Sequence, residues 1–447
     1  KNTATAAAVT ATCLLVVPGI MAAENWNDHD RSGRYTARDL ACDYLNSCEK
    51  NGILFTNGDN DTFPLWYAQE VEGVRQDVRV VNLSYLSAEW YISQMCMKAY
   101  ESDAIPTTFK PAEYAQGKND VVYLVDRSKE FVPLADAIAF IKSNDPRKYN
   151  NIAQQQNYLP TTRLSLKINP DEIIARGIID SSKKAQIVPE MRWQLKRQYI
   201  TKSDLMILDM LLANQWKRPM YFAVTVSREN YQGLDNYFVN CGLAYRIVPV
   251  ISGGSEISSG GVDTKAMYDN MMNKFKWGNA ADPHVYLDEN NIRMFSNLRI
   301  YFSDLISALI QEGKMDSARK AANRCLEIVP SEKVPHNYFT IPLIRNLYQL
   351  NETEKADSMI KQIAASTLQD ISYAQKIPYA FNTSSNTRKR MGYKAVMGDQ
   401  QAGIQGEIQL DLYIANELIR MTDYYGRSNL NKELQQKFMP YLGTMQQ

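Results

Sequence analysis

Six consecutive residues, Asn57-Gly58-Asp59-Asn60-Asp61-Thr62, bring together two carboxylates, two amides and a hydroxyl. The apolar or β-prone run Ile53 to Thr56 leads into them, and Pro64 opens an amphipathic stretch behind them. Carboxylates at alternate positions, Asp59 and Asp61, are the hard oxygen ligands that Ca²⁺ or Mg²⁺ takes. A loop that follows a strand and precedes a helix also occupies the place where open α/β sheets bind ligands, beyond the carboxyl ends of the strands. Asp59, Asn60, Asp61 and Thr62 are therefore candidate ligand-binding residues for a metal, sugar or phosphate. Upstream, "NDHDRSGR" adds Asp28, His29, Asp30 and Arg31. Asp28 and Asp30 would complete a cation site, and Arg31 or Arg34 would pair a carboxylate or a lipid phosphate at a bilayer surface. The competing reading is structural: Asp61 or Thr62 caps the helix, Pro64 fits its first turn, Gly58 makes the bend, and the remaining polar groups satisfy backbone N–H groups. The full calcium-loop spacing with its terminal Glu is missing; so is any glycine-rich phosphate fingerprint, and that second absence argues against nucleotide binding.

Positioning such a loop takes a strand before it and a helix after it. Ile53–Thr56 reads as the strand, Phe63 to Glu72 as the helix, and "DVRVVNLSYL", Asp77 to Leu86, as the next strand. That is a βαβ unit in about 30 residues, with a right-handed crossover expected. Upstream, "TARDLACDYLNSC" has Leu40, Ala41, Tyr44 and Leu45 at helical spacing, with Thr36 as the expected N-cap. Downstream, Trp90–Tyr100 and "LADAIAFI" read as helices, Val121–Val125 and "TRLSLKIN" as strands, and "NNIAQQQNY" as a loop. Thr201 should cap a helix buried through Leu205, Met206, Leu208, Met210 and Leu211. "RPMYFAVTVS" reads as a central strand with Pro219 at its start, where proline is tolerated, and "GLAYRIVPV" as another. Trp216, Lys217 and Arg218 sit at that strand's entrance, either lining the loop's side of the sheet or snorkelling at its edge. The alternation implies an α/β domain with a mostly parallel sheet. "ISGGSEISSGG" reads as a linker.

After Asp282 the strand signal stops. Phe302, Leu305, Ile306 and Leu309 supply one helix face, Gly313 a turn, Ala318 a small contact, Ala322 and Cys325 a second helix, and Pro330 its end, which is a tetratricopeptide-like pattern. The frame returns with Thr340, Leu343, Ile344 and Leu347, then Asn351 in the place of Gly313, Ala356, Ile360 and Ile363. Helices near Gly403–Tyr425 and Leu430–Tyr441 should cap the array. The expected organisation is a transmembrane helix at 1–24, an α/β domain at 25–255, a linker at 256–290 and a tetratricopeptide-like helical domain at 291–447.

The totals narrow the function classes. In 447 residues the net charge is +1 and 22% of residues are charged, so there is no electrostatic footprint for nucleic acid. The densest basic run, Arg388-Lys389-Arg390, reads as a solvated face or a loop. The six cysteines form no C-x-x-C pair and read as buried thiols. Three histidines are too few for a His-rich metal site, and no Ser-His-Asp or Cys-His constellation is legible. Asn2 to Ala23 carries no charge, a length of about 22 residues that suits a bilayer crossing. A signal peptide, a lone anchor and the last helix of a longer membrane protein all fit. The Lys1 start, without a basic leader, favours the last.

Three stretches carry a family resemblance: "NWNDHDRSGRYTARD", "ILFTNGDNDTFPLWYAQEVEGVRQDVRVVNLSYL" and "RPMYFAVTV…GLAYRIVP". They resemble a bacterial family of large polytopic membrane proteins, formerly of unknown function, common in Bacteroidetes and related to the vertebrate transmembrane protein O-mannosyltransferases of GT-C type. The resemblance runs from Ala23 to the C-terminus. It implies the last transmembrane helix plus an extracytoplasmic region of a glycosyltransferase of the bacterial inner membrane, lying on the periplasmic side. It also implies a polyprenyl-phosphate-linked sugar donor, with the bilayer and an acceptor or partner protein on the helical repeats as further partners. The catalytic acid of such enzymes lies in an early external loop with no counterpart here, so no catalytic residue carries over. The only cofactor the residues suggest is a divalent cation at Asp59 and Asp61. The alternative is a non-catalytic, membrane-anchored scaffold whose repeats recruit a partner.

Overall fold

The computed structural model describes residues 3–127, 129–143, 149–150, 156–253, 259–376 and 397–442. Most of "NNIAQQQNY", the middle of "ISGGSEISSGG" and the run Arg388-Lys389-Arg390 lie outside them. The chain divides into two compact units, Lys1–Asp288 and Glu289–Gln447.

The first unit opens with helix α1 (Thr3–His29), whose segment Thr3–Trp26 is long and apolar enough to cross a bilayer. Leu14 and Leu15 on it are 67% and 76% exposed, as side chains facing hydrocarbon would be. Cys13 is exposed there too, and Cys96 is half-buried, so only Cys42, Cys48, Cys241 and Cys325 are the buried thiols expected.

Helix α2 (Thr36–Asn46) buries Leu40, Ala41 and Leu45. Thr36 is its first helical residue rather than its cap; the N-cap is Tyr35, and the Thr36 hydroxyl is buried without a hydrogen-bond partner. The central sheet contains β1 (Ile53–Thr56), β2 (Arg79–Asn82), β3 (Met220–Ala223), β4 (Phe238–Asn240), β5 (Ala244–Ile247) and β6 (Gly261–Val262), in the order β6-β4-β5-β3-β1-β2. Strand β1 pairs parallel with both neighbours, Ile53 opposite Met220 and Arg79. Its Ile53, Leu54 and Phe55 are all fully buried, the unbroken apolar run of a strand covered on both faces. Helix α3 (Asp59–Glu70) connects β1 to β2, as the βαβ reading requires.

The sheet is mixed rather than mostly parallel. Strand β5 runs antiparallel to β3 and β4, because the connection between β4 and β5 is a tight one through Gly242 with no room for a crossover helix. Between β2 and β3 the chain also builds two small separate sheets. One contains Val121–Leu124, Gln156–Leu159 and Tyr199–Thr201; the other contains Arg163–Lys167 and Glu190–Gln194. Helix α4 (Glu89–Met95) follows β2, and helix α5 (Lys202–Asn214) precedes β3. Thr201 caps α5, accepting from the Asp204 N–H, as its position suggested.

Of the expected linker at 256–290, residues 259–288 fall in this unit, and 289–290 open the first helix of the next. Gly261–Val262 adds the edge strand β6 beside β4. The carboxyl groups of Asp43 and Asp39 on α2 accept the backbone N–H groups of Lys276 and Gly278. Gly278 has φ +58°, and a Cβ there would lie 2.6 Å from the Thr36 Cα, so the approach needs glycine.

The second unit is helical. Glu289–Gln311 pairs with Met315–Ile328, Ile341–Gln349 with Thr353–Lys376, and Met397–Tyr424 with Ser428–Leu442. Each turn holds a left-handed residue: Gly313 at φ +73°, Asn351 at +61° and Gly426 at +67°. Ala318 and Ala356 are fully buried, where a small side chain lets helices approach.

Candidate functional site

The carboxyl ends of the parallel strands β2, β1 and β3 lie side by side, so the segments after them meet. After β1, Gly58 takes φ +81° and helix α3 starts at once, at Asp59. The expected loop residues Asp59 to Thr62 are therefore the first helical turn, four residues earlier than the sequence suggested. Acidic side chains in that turn meet the positive end of the helix dipole. Pro64 consequently lies inside the helix, not at its start, and gives no N–H to the Asn60 carbonyl four residues back.

The four residues separate into different tasks. Thr62 is fully buried. Its hydroxyl lies 2.8 Å from both the Thr56 hydroxyl and the Gly58 carbonyl, and accepts from the Asn82 amide at 2.9 Å. It ties the ends of β1 and β2 to α3 and is spoken for structurally. Neither it nor Asp61 is the N-cap, which is Gly58 without a side-chain bond. Asp61 is half-buried. Its carboxylate accepts the Asn57 N–H and, at 2.6 Å, the hydroxyl of Thr225 from the segment after β3. Burial raises its pKa against those two bonds. The phenol of Tyr44, on α2, hydrogen-bonds the same Thr225 hydroxyl, and burial pushes its pKa up. Asp59 and Asn60 are exposed. Ser84, after β2, donates to the Asn57 side chain at 3.0 Å.

Asp59 and Asp61 stand two apart on a helix, a spacing at which side chains do not face each other. Among the described residues no group of three or more His, Cys, Asp or Glu side chains is placed to hold a metal ion. The upstream candidates make local bonds. Asp30 accepts from the Ser32 N–H at 2.7 Å, and Ser32 keeps its pKa low. His29 Nδ1 lies 3.0 Å from the Asn25 carbonyl at the end of α1. Arg31 is exposed, and the Asp28 side chain lies outside the described residues. Arg34 pairs with Asp288 at 3.1 Å. These bonds of His29, Asp30 and Arg34 do not involve the Asp59–Thr62 turn.

An aromatic row beside this turn escaped the sequence reading. Phe63 stacks on Trp66 (5.6 Å), Trp66 on Tyr85 (6.3 Å), and Tyr85 meets Trp90 at 6.0 Å. Phe63 and Trp90 are 45% and 61% exposed. The i, i+3 spacing of Phe63 and Trp66 was a visible signal. Tyr85 and Trp90 come from the segment after β2, and only the parallel pairing of β1 with β2 brings them alongside. Beyond the row, Trp66, Trp90, Tyr91 and Tyr100 line a cavity of about 370 Å³ with Gln69, Glu70 and Gln94. A carboxylate, amides and stacked rings suit a polar ligand with apolar faces better than a bare ion.

Trp216, Lys217 and Arg218 do not line this side. They precede β3 and so lie at the amino ends of the strands, at the opposite edge of the sheet.

The family model described as TMEM260-associated domain 2 matches residues 37–266, which contain all of α2 but its first residue, and β1, α3, β2 and β3. No curated protein and no solved structure matches the chain.

Proposed function

Since the chain belongs to the TMEM260-associated domain 2 family, we propose that it is a membrane-attached, extracytoplasmic part of a glycosyltransferase of the O-mannosyltransferase kind. TMEM260 itself is an O-mannosyltransferase. In this reading α1 lies in the bacterial inner membrane, and the α/β unit faces the periplasm. The edge formed by Asp61, Thr225 and the Phe63–Trp66–Tyr85–Trp90 row receives the sugar of a polyprenyl-phosphate donor or the acceptor protein. Bond making belongs to an acid elsewhere in the complete enzyme. The observation that carries this reading is the exposed aromatic row next to a half-buried carboxylate, at the carboxyl edge of a parallel sheet. Ring faces stack on the C–H faces of a pyranose while carboxylate and amide groups take its hydroxyls.

The test is sugar transfer by the complete enzyme carrying Asp61→Asn or Trp66→Ala. The reading expects KM to rise about tenfold with kcat nearly kept, the mark of lost binding rather than lost chemistry. Unchanged kcat and KM in both variants would remove this edge from the substrate path.

A scaffold role has its own support in the second unit. We read its paired helices as tetratricopeptide-like; they leave Tyr373 and Tyr424 at 66% and 82% exposure, the kind of side chain that anchors protein interfaces. A partner retained by the whole chain and lost in Tyr424→Ala, with transfer unaffected, would favour that role.

A further inference from the structure

The amino ends of the same parallel strands carry a cavity of different chemistry. Its volume is about 330 Å³, and Lys50, Arg176, Trp216, Lys217, Arg218 and Arg246 line it, with Glu49 beside them. Lys50 precedes β1, and Lys217 and Arg218 precede β3, so the cavity lies a strand length away from Asp61. We infer that this cavity binds a phosphate-bearing anion of two or more charges.

Charge balance is the first argument. The only carboxylate in the lining, Glu49, is already paired with Arg246 at 2.5 Å. Arg176 is answered by Glu172 at 2.6 Å. Arg218 donates to the carbonyls of Asn51, Asp103 and Ala104, which orient it, and the Asp103 carboxylate, outside the lining, acts on its charge. The ammonium groups of Lys50 and Lys217 have no hydrogen-bond or ion-pair partner among the described residues. Cations gathered in a concave site raise the local positive potential, and an anion relieves their mutual repulsion.

Arg246 supplies the second argument. It is 6% exposed, yet its Nε is buried with no hydrogen-bond partner. That N–H is closed to any ligand, but the guanidinium lines the cavity, its Nη1 anchored by Glu49, and adds a fixed positive charge of the kind that phosphate oxygens suit.

The backbone supplies the third. Gln215 and Trp216, neither of them glycine, both take left-handed conformations, at φ +45° and +60°. Such strain persists only where the surroundings hold it. Here Asn214 closes the turn, donating to the Arg218 carbonyl at 2.7 Å and accepting the Arg218 N–H at 3.1 Å. The result carries Trp216 and Lys217 to the cavity wall instead of letting α5 run straight into β3.

The test is calorimetric titration of the full chain in detergent with pyrophosphate and with orthophosphate, repeated for Lys50→Gln/Lys217→Gln. Both lysines are exposed, so the variant keeps its fold, which circular dichroism checks. Pyrophosphate should bind more tightly than orthophosphate, weaken as salt is raised, and lose about tenfold in affinity for each lysine removed. Asp61→Asn should leave this binding unchanged, which separates its failure from that of the carboxyl-edge reading. Vesicles containing phosphatidic acid, set against phosphatidylcholine alone, identify the source. Competition by the former assigns the site to a lipid headgroup, and its absence to a soluble phosphate. No heat with either anion at millimolar concentration, or equal affinity in the double-lysine variant, overturns the inference.

Discussion

Thr225 donates its hydroxyl to the Asp61 carboxylate at 2.6 Å, joining two segments 164 residues apart in the chain. One follows β1 and the other follows β3. They meet because those strands pair in parallel, Ile53 beside Met220. Asp61 is thereby held in place, while Asp59, two residues earlier, remains exposed.

Asp61→Ala should therefore destabilise the first unit by about 1–2 kcal/mol, the usual effect of losing charge-assisted bonds at a half-buried carboxylate. Asp59→Ala should cost less than about 0.5 kcal/mol, since it removes only an exposed charge from a helix N-terminus. Urea unfolding of the two variants separates them. Equal losses would count against distinct roles.

Asp43 gives a pH dependence of definite sign. Burial raises its pKa from 3.8 to about 9, and its second oxygen is buried without a partner. The folded chain keeps this proton while the unfolded chain gives it up, so the folded state binds more protons between about pH 4 and 9. This group's share of stability must fall as pH rises through that window, with a slope approaching about 1.4 kcal/mol per pH unit. Asp43→Asn keeps the acceptor for the Lys276 N–H and has no proton to lose. It should match the parent chain near pH 4 and exceed it at pH 8. Parallel unfolding curves at the two pH values would overturn the assignment.

Arg299 in the second unit is fully buried and gives its Nη atoms to the carbonyls of Val329, Val334 and Pro335. Burial lowers its pKa to about 10, still high enough to keep it charged at neutral pH. Arg299→Met leaves those carbonyls without donors in the interior, and about 3 kcal/mol should be lost. Thermal unfolding of the helical unit reads this directly. A change below about 1 kcal/mol would mean that water replaces the guanidinium.

Calcium or magnesium should leave the melting temperature unchanged, because two carboxylates at i and i+2 of a helix do not converge on one ion. A rise of several degrees, lost in Asp59→Ala/Asp61→Ala, would restore a cation site at that turn.

Local pattern carried much of the architecture. The unbroken apolar run of β1, the β1–α3–β2 order, the Thr201 cap and the left-handed turns at Gly313 and Asn351 follow from interactions within a few residues of each other, and so they were legible before any tertiary contact was known. The helix start did not follow so simply. Asp59 to Thr62 suit a loop and a first helical turn equally well, and the choice depends on Thr62 reaching Thr56 and Asn82 across two strands. Strand direction was equally hidden: alternating strands and helices do not announce that β5 returns antiparallel. Which residues share an edge was decided by that pairing alone. It brought Asp61 to Thr225 and Trp66 to Tyr85, and it moved Lys217 and Arg218 to the far end of the sheet. Side-chain chemistry is written residue by residue, but convergence is a property of strand order and direction, which only long-range hydrogen bonds and burial select.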